Sequence, residues 1–151
     1  MSVEEKLREM NLTLPEPPTP VGAYVPWVRS GNLVFLAGQI PMRHGKPVAT
    51  GKLGAELTVE TCAEAVRVAM LNGLAALKSA LGDLDSVKRV VRMTGYVASA
   101  EGFTDQAKVL NHASNLLLAA FGDAGRHARI AIGVAELPLG VPVELAIIFE
   151  V

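Results

Sequence analysis

Between Thr58 and Leu81 the apolar side chains Cys62, Val66, Met70, Leu74, Leu77 and Leu81 recur every three or four positions. That spacing gathers them on one stripe of an α-helix. Thr58 is a plausible N-cap, and Gly82 stands where helices commonly stop. A second stripe, Phe103, Ala107, Leu110, Ser114, Leu117 and Phe121, predicts another long helix, ended by Gly122. Two long stripes that must both be covered constrain this fold more than any other feature. The segments around them read differently. Residues 24–29 and 33–37, separated by Ser30-Gly31-Asn32, read as a hairpin; residues 87–98, 129–135 and 141–151 read as three further strands. The order β-β-α-β-α-β-β predicts an α+β domain, one mixed sheet with both helices on a single face.

Residues 2–11 read as a short helix, with Ser2 as N-cap and Glu4 and Glu5 in the first turn, where negative charge suits the helix dipole. Residues 14–20 hold four prolines and can form neither helix interior nor central strand. Residues 1–20 are therefore expected to be an arm and proline-rich linker, and residues 21–151 the domain. Residues 38–55, rich in glycine and proline, are expected to be a long loop, which in a compact domain is often functional.

Arg129 opens an alternation that puts Arg129, Ala131, Gly133 and Ala135 on one strand face and Ile130, Ile132 and Val134 on the other. The isoleucine face is expected to meet the helices, as is Val143-Leu145-Ile147-Phe149 of the last strand. On that reading Arg129, Glu144, Ala146, Ile148 and Glu150 lie on the uncovered side. An arginine among small residues can be a two-pronged clamp for a carboxylate, or simply a strand-end arginine pointing to water. The half-apolar uncovered faces need a partner, and a second copy of the chain is the simplest one.

Hydrophobic residues make up 50% of the 151 residues and charged ones only 19%, which also suits an oligomer. The net charge is -1 and aromatics are 5%, so no basic or stacking surface argues for nucleic acid. The single cysteine, Cys62, falls on the core stripe and is expected to be inert packing. His44, His112 and His127 have no metal-ligand spacing, and His127 is read as an exposed loop residue. No apolar run is long enough to span a membrane, residues 1–10 are charged throughout, and the cytoplasm is the expected location.

Several segments together resemble the RidA/YjgF family of imine deaminases, formerly called the endoribonuclease L-PSP or translation-inhibitor family. They are Gly38-Gln39-Ile40-Pro41, the helix with Asn72 and Leu74, Asp85-Ser86-Val87-Lys88, Asn111, Ala128-Arg129, Val134-Ala135-Glu136-Leu137-Pro138 and Val143-Glu144. The resemblance spans residues 21–151, and the arm looks like that of a longer branch. It implies a chorismate mutase-like fold, a homotrimer with clefts between subunits, and no cofactor or metal. It implies hydrolysis of 2-imino acids or their enamine tautomers, such as 2-aminoacrylate, to 2-keto acids and ammonia. By the same resemblance Arg129 would bind the substrate carboxylate, Tyr24 would line the cleft, and Ala37, Gly38, Ala131 and Asn111 would border the substrate.

One departure stands out. The family's water-orienting glutamate aligns with Ala146, its cleft cysteine with Ala131, and a small hydroxyl residue with Ala37. Glu144, two residues before Ala146 on the same strand face, could serve in the missing glutamate's place or make a structural contact. The alternative function is therefore a non-catalytic protein that binds a small carboxylate. An endoribonuclease is disfavoured by the absence of a basic groove and of a histidine pair.

Overall fold

A computed structural model describes residues 1–151. Its first helix, α1 (Val3–Glu9), starts with a reciprocal cap: Ser2 Oγ accepts from the Glu5 amide, and the Glu5 carboxylate accepts from the Ser2 amide. Strands β1 (Trp27–Ser30) and β2 (Leu33–Leu36) form the expected hairpin. β1 begins later than the sequence suggests and leaves Tyr24 in the bends before it. Pro26 has no amide to donate, so the ladder fades there, although its carbonyl still accepts from the Ala37 amide. The expected long loop contains a tiny hairpin, β3 (Met42–Arg43) with β4 (Lys46–Pro47).

Helix α2 (Ala63–Leu81) starts a turn later than predicted. Thr58 still acts at this end, because Thr58 and Thr61 each accept the other's amide and close the turn that feeds the helix. α2 is buried on almost every side from Ala65 to Leu77, so its stripe is wider than the sequence pattern. Strand β5 (Arg89–Ala98), helix α3 (Gln106–Phe121), strand β6 (Ala128–Val134) and strand β7 (Val143–Glu150) complete the chain. On α3 the buried stripe is Val109, Leu110, Ala113, Leu116, Leu117 and Ala120; Ala107 is exposed.

The main sheet runs β1-β2-β7-β5-β6, with only β5 and β6 parallel. The charged run Lys88, Arg89 and Arg92 at the start of β5 is exposed although the strand is flanked on both sides, by β7 and β6. Directly paired residues share a face. Val143, Leu145, Ile147 and Phe149 are buried under the helices, as expected. Each such large buried side chain contributes about 1.5–3 kcal/mol. The helix α1 joins the same core through Val3 and Leu7 and is tied down by Val3 N to Asp85 and by the Lys78–Glu4 pair. The arm thus lies on its own domain.

β6 corrects the sequence reading. Arg129 pairs with Met93, which pairs with Ile147; Ala131 pairs with Gly95, which pairs with Leu145. Arg129 and Ala131 therefore lie on the helix side, and Ile130 and Ile132, 43% and 45% exposed, lie on the open side. The cause is packing against α3. Gly95 admits Leu110 so closely that any Cβ there would collide with it, and Ala131 alongside keeps the seat shallow. Bulky isoleucines would not fit there. The open face carries Val28 and Phe35 on one flank, Ile130 and Ile132 on the other, and Thr94, Tyr96, Glu144 and Ala146 between them. No helix is long and apolar enough to cross a membrane.

Candidate functional site

The residues singled out by the sequence fall into two groups within one protomer. The first sits where the start of β6 meets α3. Arg129 Nη1 donates to Asn111 Oδ1 at 2.8 Å and to Ser114 Oγ at 3.1 Å. The imidazole of His127 bridges Ser114 Oγ, 2.9 Å from Nε2, and the Gly125 carbonyl, 2.6 Å from Nδ1. A carbonyl can only accept, so Nδ1 carries a proton. In the singly protonated ring Nε2 then accepts the Ser114 hydroxyl hydrogen, leaving the serine oxygen to accept from Arg129. The result is a directional chain from Arg129 to the backbone.

This network revises two expectations. His127 is half-buried with both ring nitrogens engaged, not an exposed loop residue. Ser114, counted with the apolar stripe of its helix, is instead that stripe's polar margin. The sequence signal was present: a serine three residues after Asn111 shares its helix face. Arg129 takes part in none of the chain's ion pairs. Only its Nη1 is used within the protomer, so the Nε–Nη2 side of the planar fork keeps its donors.

The second group lies across the sheet, at the end of β2. Tyr24, Ala37 and Gly38 line one cavity of about 770 Å³. Tyr24 is 52% exposed, and its hydroxyl takes only a long contact from the Val21 amide, 3.5 Å. The Glu144 carboxylate lies over Gly38, with Oε2 just 2.6 Å from where a Cβ would stand. Gly38 is thus the one residue that leaves room for this acid. Partial burial raises the Glu144 carboxyl above its ordinary value of 4.5.

The two groups do not converge. Glu144 pairs with Tyr96 on the open face, whereas Arg129 is on the helix face of an edge strand. The expectation that Arg129 shares a face with Glu144 and Ala146 fails for the reason given above: α3 takes up the small-residue face of β6. Ala131 lies beneath α3, partly buried and packed against the core.

The remaining candidates are structural. Burial pushes the Cys62 thiol up to about 12, which leaves it in its unreactive protonated form. His112 Nε2 is 3.0 Å from the Val59 carbonyl and ties α3 to the segment before α2, and His44 is an exposed turn residue. No cluster of His, Cys, Asp and Glu is placed to hold a metal ion.

Comparison with known proteins adds the following. Residues 4–150 match the family model described as "YjgF/chorismate mutase-like, putative endoribonuclease". Protein TCP17 of Trypanosoma cruzi is 42% identical over 149 residues, covering 98% of this chain and 93% of its own. A solved Shewanella oneidensis structure carrying the same endoribonuclease description superposes with a TM-score of 0.96 at 34% identity, covering 100% of both chains. Escherichia coli TdcF, solved with bound serine, has a TM-score of 0.66 at 25% identity, covering 90% of this chain and 94% of its own.

Proposed function

The chain belongs to the YjgF/RutC/RidA family, and from that premise we propose that it is a cytoplasmic hydrolase of reactive 2-imino acids and their enamine tautomers. The observation that carries this reading is Arg129. Its guanidinium is oriented by Asn111 and Ser114, lacks an acidic partner, and keeps a two-donor side for a carboxylate. Water adds to the imine carbon, the C–N bond breaks, and the nitrogen leaves as ammonia, giving a 2-keto acid. The protein has to fix the carboxylate, orient a water and move protons.

Arg129 and Glu144 lie on opposite faces of their own sheet, so one protomer does not unite the two groups. In a homotrimer, the β6 edge of one subunit would meet the open face of the next and bring Arg129 to the partner's Tyr24, Gly38 and Glu144. The exposed apolar residues Val28, Phe35, Ile130 and Ile132 support that packing. Glu144, with its carboxyl raised by burial, suits a group that takes a proton from water and returns it to the leaving nitrogen. It stands in for the glutamate that Ala146 lacks.

Ala146 also supports the second reading, a module that binds a small carboxylate without turning it over. The bound serine of TdcF is compatible with either reading. Endoribonuclease activity finds little support: net charge is -1, and His112 and His127 are each held by a backbone carbonyl. The decisive experiment adds the purified protein to a dehydratase or amino-acid oxidase that releases imines in situ and follows keto-acid formation. Acceleration supports the hydrolase. An unchanged rate, with keto acids still raising the melting temperature, favours the binding module.

A further inference from the structure

The cavity that holds Tyr24, Ala37 and Gly38 extends well beyond them. Its depth is walled by Val68 and Leu71 of α2, by Ile40 and Met42 of the loop, and by Pro18 and Pro20 of the connector after α1. The proline-rich segment is therefore a wall of this cavity as well as a linker. A volume of about 770 Å³ lies in the ~300–1,000 Å³ range of pockets that take whole small molecules. A three-carbon imino acid would leave most of it empty.

The lining also speaks to ligand chemistry. Two buried amides stand in the wall; Asn72 has both N–H donors committed and Gln39 has one. Asn72 Nδ2 donates to the Ile40 and Met42 carbonyls at 3.1 and 3.0 Å, and Gln39 Nε2 to the Ala37 carbonyl at 3.2 Å. At the rim, Arg43 is paired with Glu64 at 3.2 Å. Thr13, Glu16, Thr19 and His44 also line the cavity but are exposed residues, and the buried part of the lining is chiefly aliphatic and proline surface, which rewards apolar atoms and penalises unpaired polar ones.

Resting on the hydrolase reading above, we infer that this cavity is a side-chain subsite. It makes the chain select 2-imino acids with a long or branched aliphatic side chain over three-carbon 2-aminoacrylate. The reacting carbon lies at the Gly38 end, beside the Glu144 carboxylate that overlies that glycine, where water adds and ammonia departs as before, and the aliphatic tail runs beneath the connector. The specificity-determining residues are Met42 and Val68, which touch the tail and not the reacting atoms.

The test compares imines made in situ by an amino-acid oxidase from leucine with 2-aminoacrylate made by a dehydratase from serine. It also compares binding of 4-methyl-2-oxopentanoate with that of pyruvate by calorimetry. Methylene-by-methylene discrimination in apolar pockets runs about 10- to 200-fold. The wild type should therefore favour the branched substrate and ligand by at least about tenfold. Met42→Trp, or Val68→Phe, should bring the branched-to-three-carbon ratio of kcat/KM to about one, with the loss falling on the branched substrate. Tighter binding of the branched keto acid without any turnover would sink the hydrolase reading and keep the subsite. Turnover of both imines with equal kcat/KM, or equal affinity for the two keto acids, would overturn the subsite and leave the hydrolase standing. The wild-type comparisons decide the matter even where a variant fails to fold.

Discussion

The two ends of the sheet solve opposite problems. At the β6 edge a full charge is held in place: Arg129 Nη1 is fixed by Asn111 and Ser114, Ser114 by His127, and His127 by the Gly125 carbonyl. At the β2 end a hollow instead stays open beside a proline-rich segment and a glycine over which the Glu144 carboxylate lies. The first end has the order needed to grip a ligand in one orientation, the second the room needed to admit one. Orientation and capacity demand different packing, and in the proposed hydrolase each end would supply one of them.

Four substitutions probe that contrast. Arg129→Ala should be the most severe, lowering kcat/KM for imine hydrolysis about 30-fold or more, since loss of one member of a desolvated charge pair costs ~2–5 kcal/mol. A loss below about fivefold in the in situ assay would remove Arg129 from the site. Next, Gly38→Ala should push the Glu144 carboxylate aside and lower stability by about 1 kcal/mol, a few degrees in Tm, with activity falling as well. In a Glu144→Ala background the Tm loss should vanish; its persistence would mean that the crowding is with some other group.

Ser114→Ala removes one of the two acceptors of Arg129 Nη1, and a partly solvated hydrogen bond whose donor keeps its other acceptor contributes ~0.5–1.5 kcal/mol. KM should rise roughly 2- to 10-fold with kcat little changed; a fall in kcat alone would contradict a positioning role. The smallest effect on stability is expected for Glu144→Gln. The folded carboxyl is raised above its ordinary 4.5, so the contribution of Glu144 is greatest when it is protonated. That contribution declines as pH climbs through the folded value. The glutamine variant should therefore melt above the wild type at pH 7, and the gap should close below pH 4.5. A gap that widens in acid would reverse the assignment.

Much of this architecture was legible in the sequence. The α2 stripe and the alternation of Val143, Leu145, Ile147 and Phe149 are long, uniform patterns with one way to be buried. The ends at Gly82 and Gly122 follow from local backbone chemistry. β6 was misread because both of its faces are apolar enough to be core. What decides between them is a glycine on the neighbouring strand, Gly95, that lets Leu110 approach, and an alternation with two apolar faces does not say which one meets the helices. Arg129 was found by its oddity, but its setting was not, since Asn111, Ser114 and His127 belong to another helix and a turn. The cavity was missed because its walls come from four separate segments, none unusual by itself.

One consequence concerns how the sheet comes together. β7 lies at its centre, bonded to β2 on one side and β5 on the other, yet it is last in order. The early hairpin and the later parallel crossover share no strand pairing until residues 143–150 arrive between them. A nascent polypeptide carries two unjoined half-sheets until that keystone is threaded, and loss of that strand would split the sheet into separate halves.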